Sequence, residues 1–199
     1  MSKIFFILWL FLPGYGISQS AKLNVSKIEI AIYEYNSHFS LARDKADIIL
    51  YCQVSKNGNV QVQCQNDSIT EVFKFELPEN VISDINLFFK NKKGLKDCRE
   101  NAIPEIGISY GAREYYYFRM IGGDNKVESA CFIEEFMIES FNKLILEITN
   151  LYADKSSVPG SSVIITPEIV KQISDLHKRT KSLARTSEPP PVEEIKEKN

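Results

Sequence analysis

Three groups of residues could carry chemistry. His38, Glu114 and Arg119 form the one acid–base set the chain offers. A histidine and a glutamate could move protons while an arginine holds a phosphate, as a small hydrolase or nuclease requires. The second group is the run Tyr115-Tyr116-Tyr117-Phe118, flanked by Arg113 and Arg119. On a strand covered on one face only, Tyr115 and Tyr117 point outward, and exposed tyrosine and arginine are typical of recognition surfaces. Cross-strand aromatic pairing within a sheet is the competing reading of the same run. The third group is Cys52, Cys64, Cys98 and Cys131, which are either two disulfides or four buried thiols.

Other chemistry is disfavoured. No GxSxG, HExxH, glycine-rich phosphate loop, EF-hand pattern or histidine cluster occurs. The cysteine spacings are long and include no CxxC, and the two histidines are remote from them, so zinc fits poorly. His177 lies far down the chain from His38, and the two are not expected to work together. The pairs Glu134-Glu135 and Asp44/Asp47 read as solvated surface. No cofactor is implied. With 24 basic and 26 acidic residues, the chain gives no electrostatic case for nucleic acid or an anionic membrane.

The cysteines are placed by a hairpin. Ile48, Leu50, Cys52 and Val54 alternate in one arm; Val60, Val62 and Cys64 alternate in the other, around Asn57-Gly58. A two-residue loop puts the two apolar rows on opposite faces. A three-residue loop, Asn57-Gly58-Asn59, puts them on one face, with Val54 opposite Val62 and Cys52 opposite Cys64. That register predicts a Cys52–Cys64 disulfide and leaves Cys98–Cys131 as the second.

The N-terminus bears on the same question. Residues 1–20 show Lys3, the apolar run Ile4 to Leu12, and then Pro13-Gly14. Small residues allow a cut before Ala21 or before Gln19. This is the pattern of a cleaved secretory signal, and nine apolar residues are too few to span a bilayer. The chain is therefore expected to be secreted or periplasmic, with no membrane span after signal removal, in a compartment that permits disulfides. Loss of Lys3 shifts the net charge from −2 to −3. Asn24-Val25-Ser26 and Asn66-Asp67-Ser68 match the glycosylation sequon.

The rest of the chain supplies the scaffold. Strands are expected at 27–35, in the two hairpin arms and at 72–77, followed by a helix whose Val81, Ile82, Ile85, Phe88 and Phe89 share a face. Three more strands follow at 106–110, 114–121 and 126–133. A second helix runs from about Glu134 to Tyr152. The fold expected for 21–153 is α+β: an antiparallel β-meander sheet of about seven strands, four then three, with two helices on one face. A flexible linker at 154–166, a C-terminal helix at 167–185 and a disordered tail at 186–199 complete the chain. The C-terminal helix docks on the domain, binds a partner or stands alone.

The absence of catalytic motifs favours a non-enzymatic secreted binding module. It would meet an unknown protein or surface ligand, in an inhibitor-like role or another, through Arg113, Tyr115, Tyr117 and Arg119. A small secreted hydrolase or nuclease using His38 is the alternative. An envelope structural protein attached through its C-terminal helix is the third reading.

Overall fold

A computed structural model describes residues 21–35, 45–66, 69–100 and 114–180. They form one antiparallel sheet of six strands and three α-helices. The strands are β1 (Val25–Tyr35), β2 (Ala46–Ser55), β3 (Asn59–Asn66), β4 (Ile69–Glu76), β5 (Glu114–Gly122) and β6 (Val127–Ile133). The helices are α1 (Glu79–Lys90), α2 (Glu139–Asn150) and α3 (Pro167–Arg179). Sheet order is β4-β3-β2-β1-β5-β6. The first four strands meander as expected. After α1 the chain crosses back and adds β5 beside β1, so the sheet is not a pure meander. The strand expected at 106–110 lies outside the described residues.

The two sequence-derived helices share the inner face. Val81, Ile82 and Ile85 of α1 and Phe141, Leu144, Ile145 and Ile148 of α2 are buried there. They meet Ile28, Ile30, Cys52, Val54, Val60, Val62, Phe73 and Phe118, one apolar row per strand. The second helix is shorter than its apolar stripe suggested: Glu134–Phe136 forms a 3-10 turn, and α2 begins only at Glu139.

The outer face holds a second core. Ala31, Tyr33, Ala46, Ile48, Tyr51, Tyr115, Tyr117, Cys131 and Ile133 pack there with Ile173 of α3. The domain therefore has three layers, helices on both faces of the sheet, rather than two. Ile48 reaches this face through a bulge. Ile32 pairs with Leu50 but Tyr33 pairs with Ile48, so Ile49 is an extra residue and the face alternation reverses before it.

The hairpin corrects the disulfide expectation. Its loop has three residues, but they are Lys56-Asn57-Gly58. Val54 pairs with Val60, Cys52 with Val62 and Leu50 with Cys64. Both registers keep the apolar rows on one face, because burial specifies register only to within two residues. Turn chemistry decides between them. The Gly58 N–H donates to the Ser55 carbonyl at 2.9 Å, and Gly58 stands at φ 81°. A type I turn followed by a left-handed residue is the favoured three-residue loop, and it needs glycine last, not in the middle. Cys52 and Cys64 are thus diagonal neighbours, roughly 7 Å apart, beyond the reach of an unstrained disulfide. Cys98 belongs to the inner core and Cys131 to the outer, with the sheet between them. All four cysteines are buried free thiols. Alkylation of the denatured chain without reductant should therefore label all four; two disulfides would leave none to label.

Gly58 also packs tightly. A Cβ there would stand 2.8 Å from Ile82 Cδ1. Together with the left-handed backbone, this predicts that Gly58→Ala costs about 1–2 kcal/mol, read as a lowered urea midpoint with an unchanged slope.

Candidate functional site

The outer face is divided between a covered half and an open half. The covered half is closed by α3 and by the segment leading to it. That segment wraps the β4 edge: the Val158 N–H donates to the Val72 carbonyl at 2.8 Å. It is then held by Gln63, a fully buried side chain of β3. The Gln63 Oε1 accepts from the N–H groups of Ile164 and Ile165 at 2.7 and 2.9 Å. The stretch expected to be a flexible linker is therefore fastened at two places.

Helix α3 starts at a Thr166 cap with Pro167 in its first turn. Polar side chains seat it on the sheet. The Ala46 N–H donates to Ser174 Oγ at 2.8 Å, and Gln172 Nε2 donates to Tyr117 Oη. Tyr33 Oη and His177 Nδ1 share a hydrogen bond of 3.0 Å. The Tyr35 ring stacks on His177 with centroids 3.9 Å apart, and Tyr115 meets it edge-on at 4.6 Å. Cys131 hydrogen-bonds to Tyr33 and Thr180 beside them. A cysteine and a histidine so close invite a nucleophile reading, but Tyr33 lies between them. Burial also pushes the Cys131 thiol up to about 11, so it stays protonated at neutral pH. The cluster is core.

This arrangement corrects the recognition surface inferred from the aromatic run. Tyr115 and Tyr117 do point away from Tyr116 and Phe118, but α3 covers them: they are 8% and 1% exposed. The signal for this was present. Tyr115 to Phe118 and Ile48 to Cys52 are unbroken apolar runs, which is how strands buried on both faces read. The acid–base set is not assembled either. Glu114 and Arg119 stand five residues apart on one strand, so their side chains leave opposite faces. His38 and Arg113 lie outside the described residues. Among the described residues, no three His, Cys, Asp or Glu side chains are grouped as metal ligands would be, and no helix is long and apolar enough to cross a membrane.

The open half carries a polar band. Lys74, Gln61, Gln53, Glu29, Arg119 and Ser129 are paired in succession, one from each strand. At about 4.8 Å per strand the band spans roughly 24 Å. The next row outward is Glu76, Asn59, Ser55, Lys27, Ile121 and Val127. None of these residues belongs to either core. At the centre, Glu29 is only 5% exposed. Its Oε1 meets Lys27 Nζ at 2.7 Å and its Oε2 meets Arg119 Nη1 at 3.1 Å. Of the tyrosines and arginines proposed from the sequence as a recognition surface, Arg119 alone remains accessible among those described, while Glu114 is exposed on the opposite face of the same strand.

The buried phenols and thiols set an alkaline limit. Burial raises Cys52 to about 12, Cys98 to about 11 and Tyr116 to about 12. Burial raises Tyr33, Tyr51 and Tyr117 further still. Each group holds its proton more tightly folded than unfolded. Their contribution is complete below the ordinary thiol and phenol values, about 9 and 10, and is lost as pH rises through the folded ones. The urea midpoint should therefore fall between pH 9 and 12; a midpoint that holds constant over that range contradicts the burial of these groups.

Comparison of the chain with family models, with curated proteins and with solved structures finds no match to any of the three.

Proposed function

We propose that the chain is an exported, non-enzymatic binding module and that the polar band is its recognition surface. The observation that carries this is the division of the outer face. Helix α3 covers half of a six-stranded sheet face and, among the described residues, leaves uncovered one polar row and a second, mixed row that ends in Ile121 and Val127. Flat faces with a central arginine and long polar side chains are suited to protein recognition. The hydrolase reading lacks the juxtaposition of Glu114 with Arg119 that it needs. The envelope-attachment reading needs a free apolar stripe on α3, and that stripe faces the sheet. A signal cut before Ala21 agrees with the fold, since Leu23 is already part of the inner core.

The test is capture. The chain, tethered through its C-terminus, is exposed to the soluble exported fraction of its source cells. The proposal expects a protein retained by the wild type and by Leu87→Ser, on the exposed side of α1. The same protein should be lost by a Gln53→Glu, Gln61→Glu, Lys74→Glu variant. Retention by that triple variant contradicts the proposal. Intact mass of the exported chain tests the signal: it should begin at Gln19 or Ala21.

A further inference from the structure

The open rows carry unequal charge. Lys27, Lys74 and Arg119 stand there against Glu29 and Glu76. Glu76 is at the β4 edge, whereas Glu29 is central and buried. Burying a carboxylate in the middle of a sheet is costly, and an apolar side chain there would often serve stability as well. What Glu29 does achieve is geometric. It draws Arg119 and Lys27 to one point on the band, from the strand beside it and from its own strand.

The cations are not exhausted by that carboxylate. The bond to Glu29 is the one hydrogen bond of the Arg119 guanidinium among the described residues, which leaves most of its five N–H donors unused. The Arg119 and Lys27 side chains are 26% and 35% exposed. Along the band, Gln53 gives one amide hydrogen to Tyr51 Oη at 3.2 Å. The Gln61 side chain makes no hydrogen bond among the described residues, and the residue is partly exposed. Lys74 at the far end is exposed. A planar fork beside an ammonium suits a carboxylate, and a row of amides beyond it suits a peptide backbone.

We propose that the band recognises an acidic protein segment, with Arg119 and Lys27 anchoring a carboxylate of the partner and Gln53, Gln61 and Lys74 engaging the residues that follow. This rests on the binding reading above and names its chemistry. Glu29 is then a resident carboxylate that competes with the partner's for the same two cations. Removing its charge should strengthen binding, while removing the Arg119 charge should abolish it.

The probe is dye-labelled hexaglutamate, titrated into the full chain by fluorescence anisotropy, with hexalysine alongside. Saturable binding of hexaglutamate alone is expected. Arg119→Gln should weaken it at least tenfold, and Glu29→Gln should tighten it several-fold. Ser129→Arg, which adds a cation directly opposite Arg119 on the neighbouring strand, should tighten binding with no change in circular dichroism. Glutarate should displace the probe at matched ionic strength. No binding, binding unaltered by Arg119→Gln, weakening by Glu29→Gln, or displacement by inorganic phosphate but not glutarate would each overturn the proposal. The two levels separate cleanly. A silent hexaglutamate titration with partner capture lost in the triple variant refutes the acidic chemistry alone. Capture that survives the triple variant refutes the recognition surface itself.

Discussion

Phe141→Ala is expected to cost about 3–5 kcal/mol of stability. Phe141 of α2 is fully buried among rings of α1, β5 and β6. Its ring lies 5.8 Å from Phe88, 6.5 Å from Phe89, 5.1 Å from Phe118 and 5.3 Å from Phe132, centroid to centroid. Truncation removes the apolar area and leaves a cavity walled by four stiff rings, which cannot collapse into it easily. Aromatic edge contacts add to the loss. Phe141→Leu keeps most of the volume and should cost clearly less. Urea unfolding of both variants at neutral pH measures the difference. A loss under 1 kcal/mol for the alanine variant would mean that the inner layer is not packed around this ring.

Ile173→Asp should have the second-largest effect, and a different kind. Ile173 is the wholly buried apolar side chain of α3, at 0% exposure in the outer core. The other contacts of the helix are the His177 ring against three tyrosines, partly buried apolar side chains, and hydrogen bonds to groups that water can satisfy once the helix leaves. A charge at 173 cannot stay buried without a partner, so the helix should detach while the inner core persists. The expected result is rapid amide exchange through α3 with slow exchange retained in α1, α2 and the central strands. The Tyr33, Tyr115 and Tyr117 rings should become solvent-accessible together. Global unfolding with no separate α3 transition would mean that the outer layer is not a distinct cooperative unit.

The sequence made the inner half of this domain legible and the outer half not. Alternation in Lys27 to Tyr35 and in the hairpin arms located the inner face, because burial there follows simple periods of two and 3.6. The hairpin register was legible only in parity. Moving both rows by two residues costs no burial, so the choice fell to the left-handed position of Gly58, which hydrophobic pattern does not encode. The disulfides failed with the register. The outer layer was misread for a topological reason. Ile169, Val170, Ile173 and Leu176 were recognisable as a stripe, but nothing local says which face of a sheet a tethered helix will take. Only the double-sided runs at Ile48 to Cys52 and Tyr115 to Phe118 pointed to a second covering layer. The ion-paired centre of the band was hidden for the opposite reason. Lys27, Glu29 and Arg119 are ordinary strand residues until β5 is placed beside β1, 90 positions away in sequence between Glu29 and Arg119.

Everything assigned to the outer face depends on α3 lying over the tyrosines, because that is what leaves the polar band as the surface available to a partner. A proton nuclear Overhauser spectrum of the full chain tests it at one residue. With Tyr35 stacked at 3.9 Å, and Tyr115 at 4.6 Å and Tyr33 at 5.8 Å edge-on, the His177 ring protons should show cross-peaks to all three tyrosine rings. A His177 spectrum lacking those cross-peaks, in a chain whose inner-core aromatic cross-peaks are intact, would contradict the account.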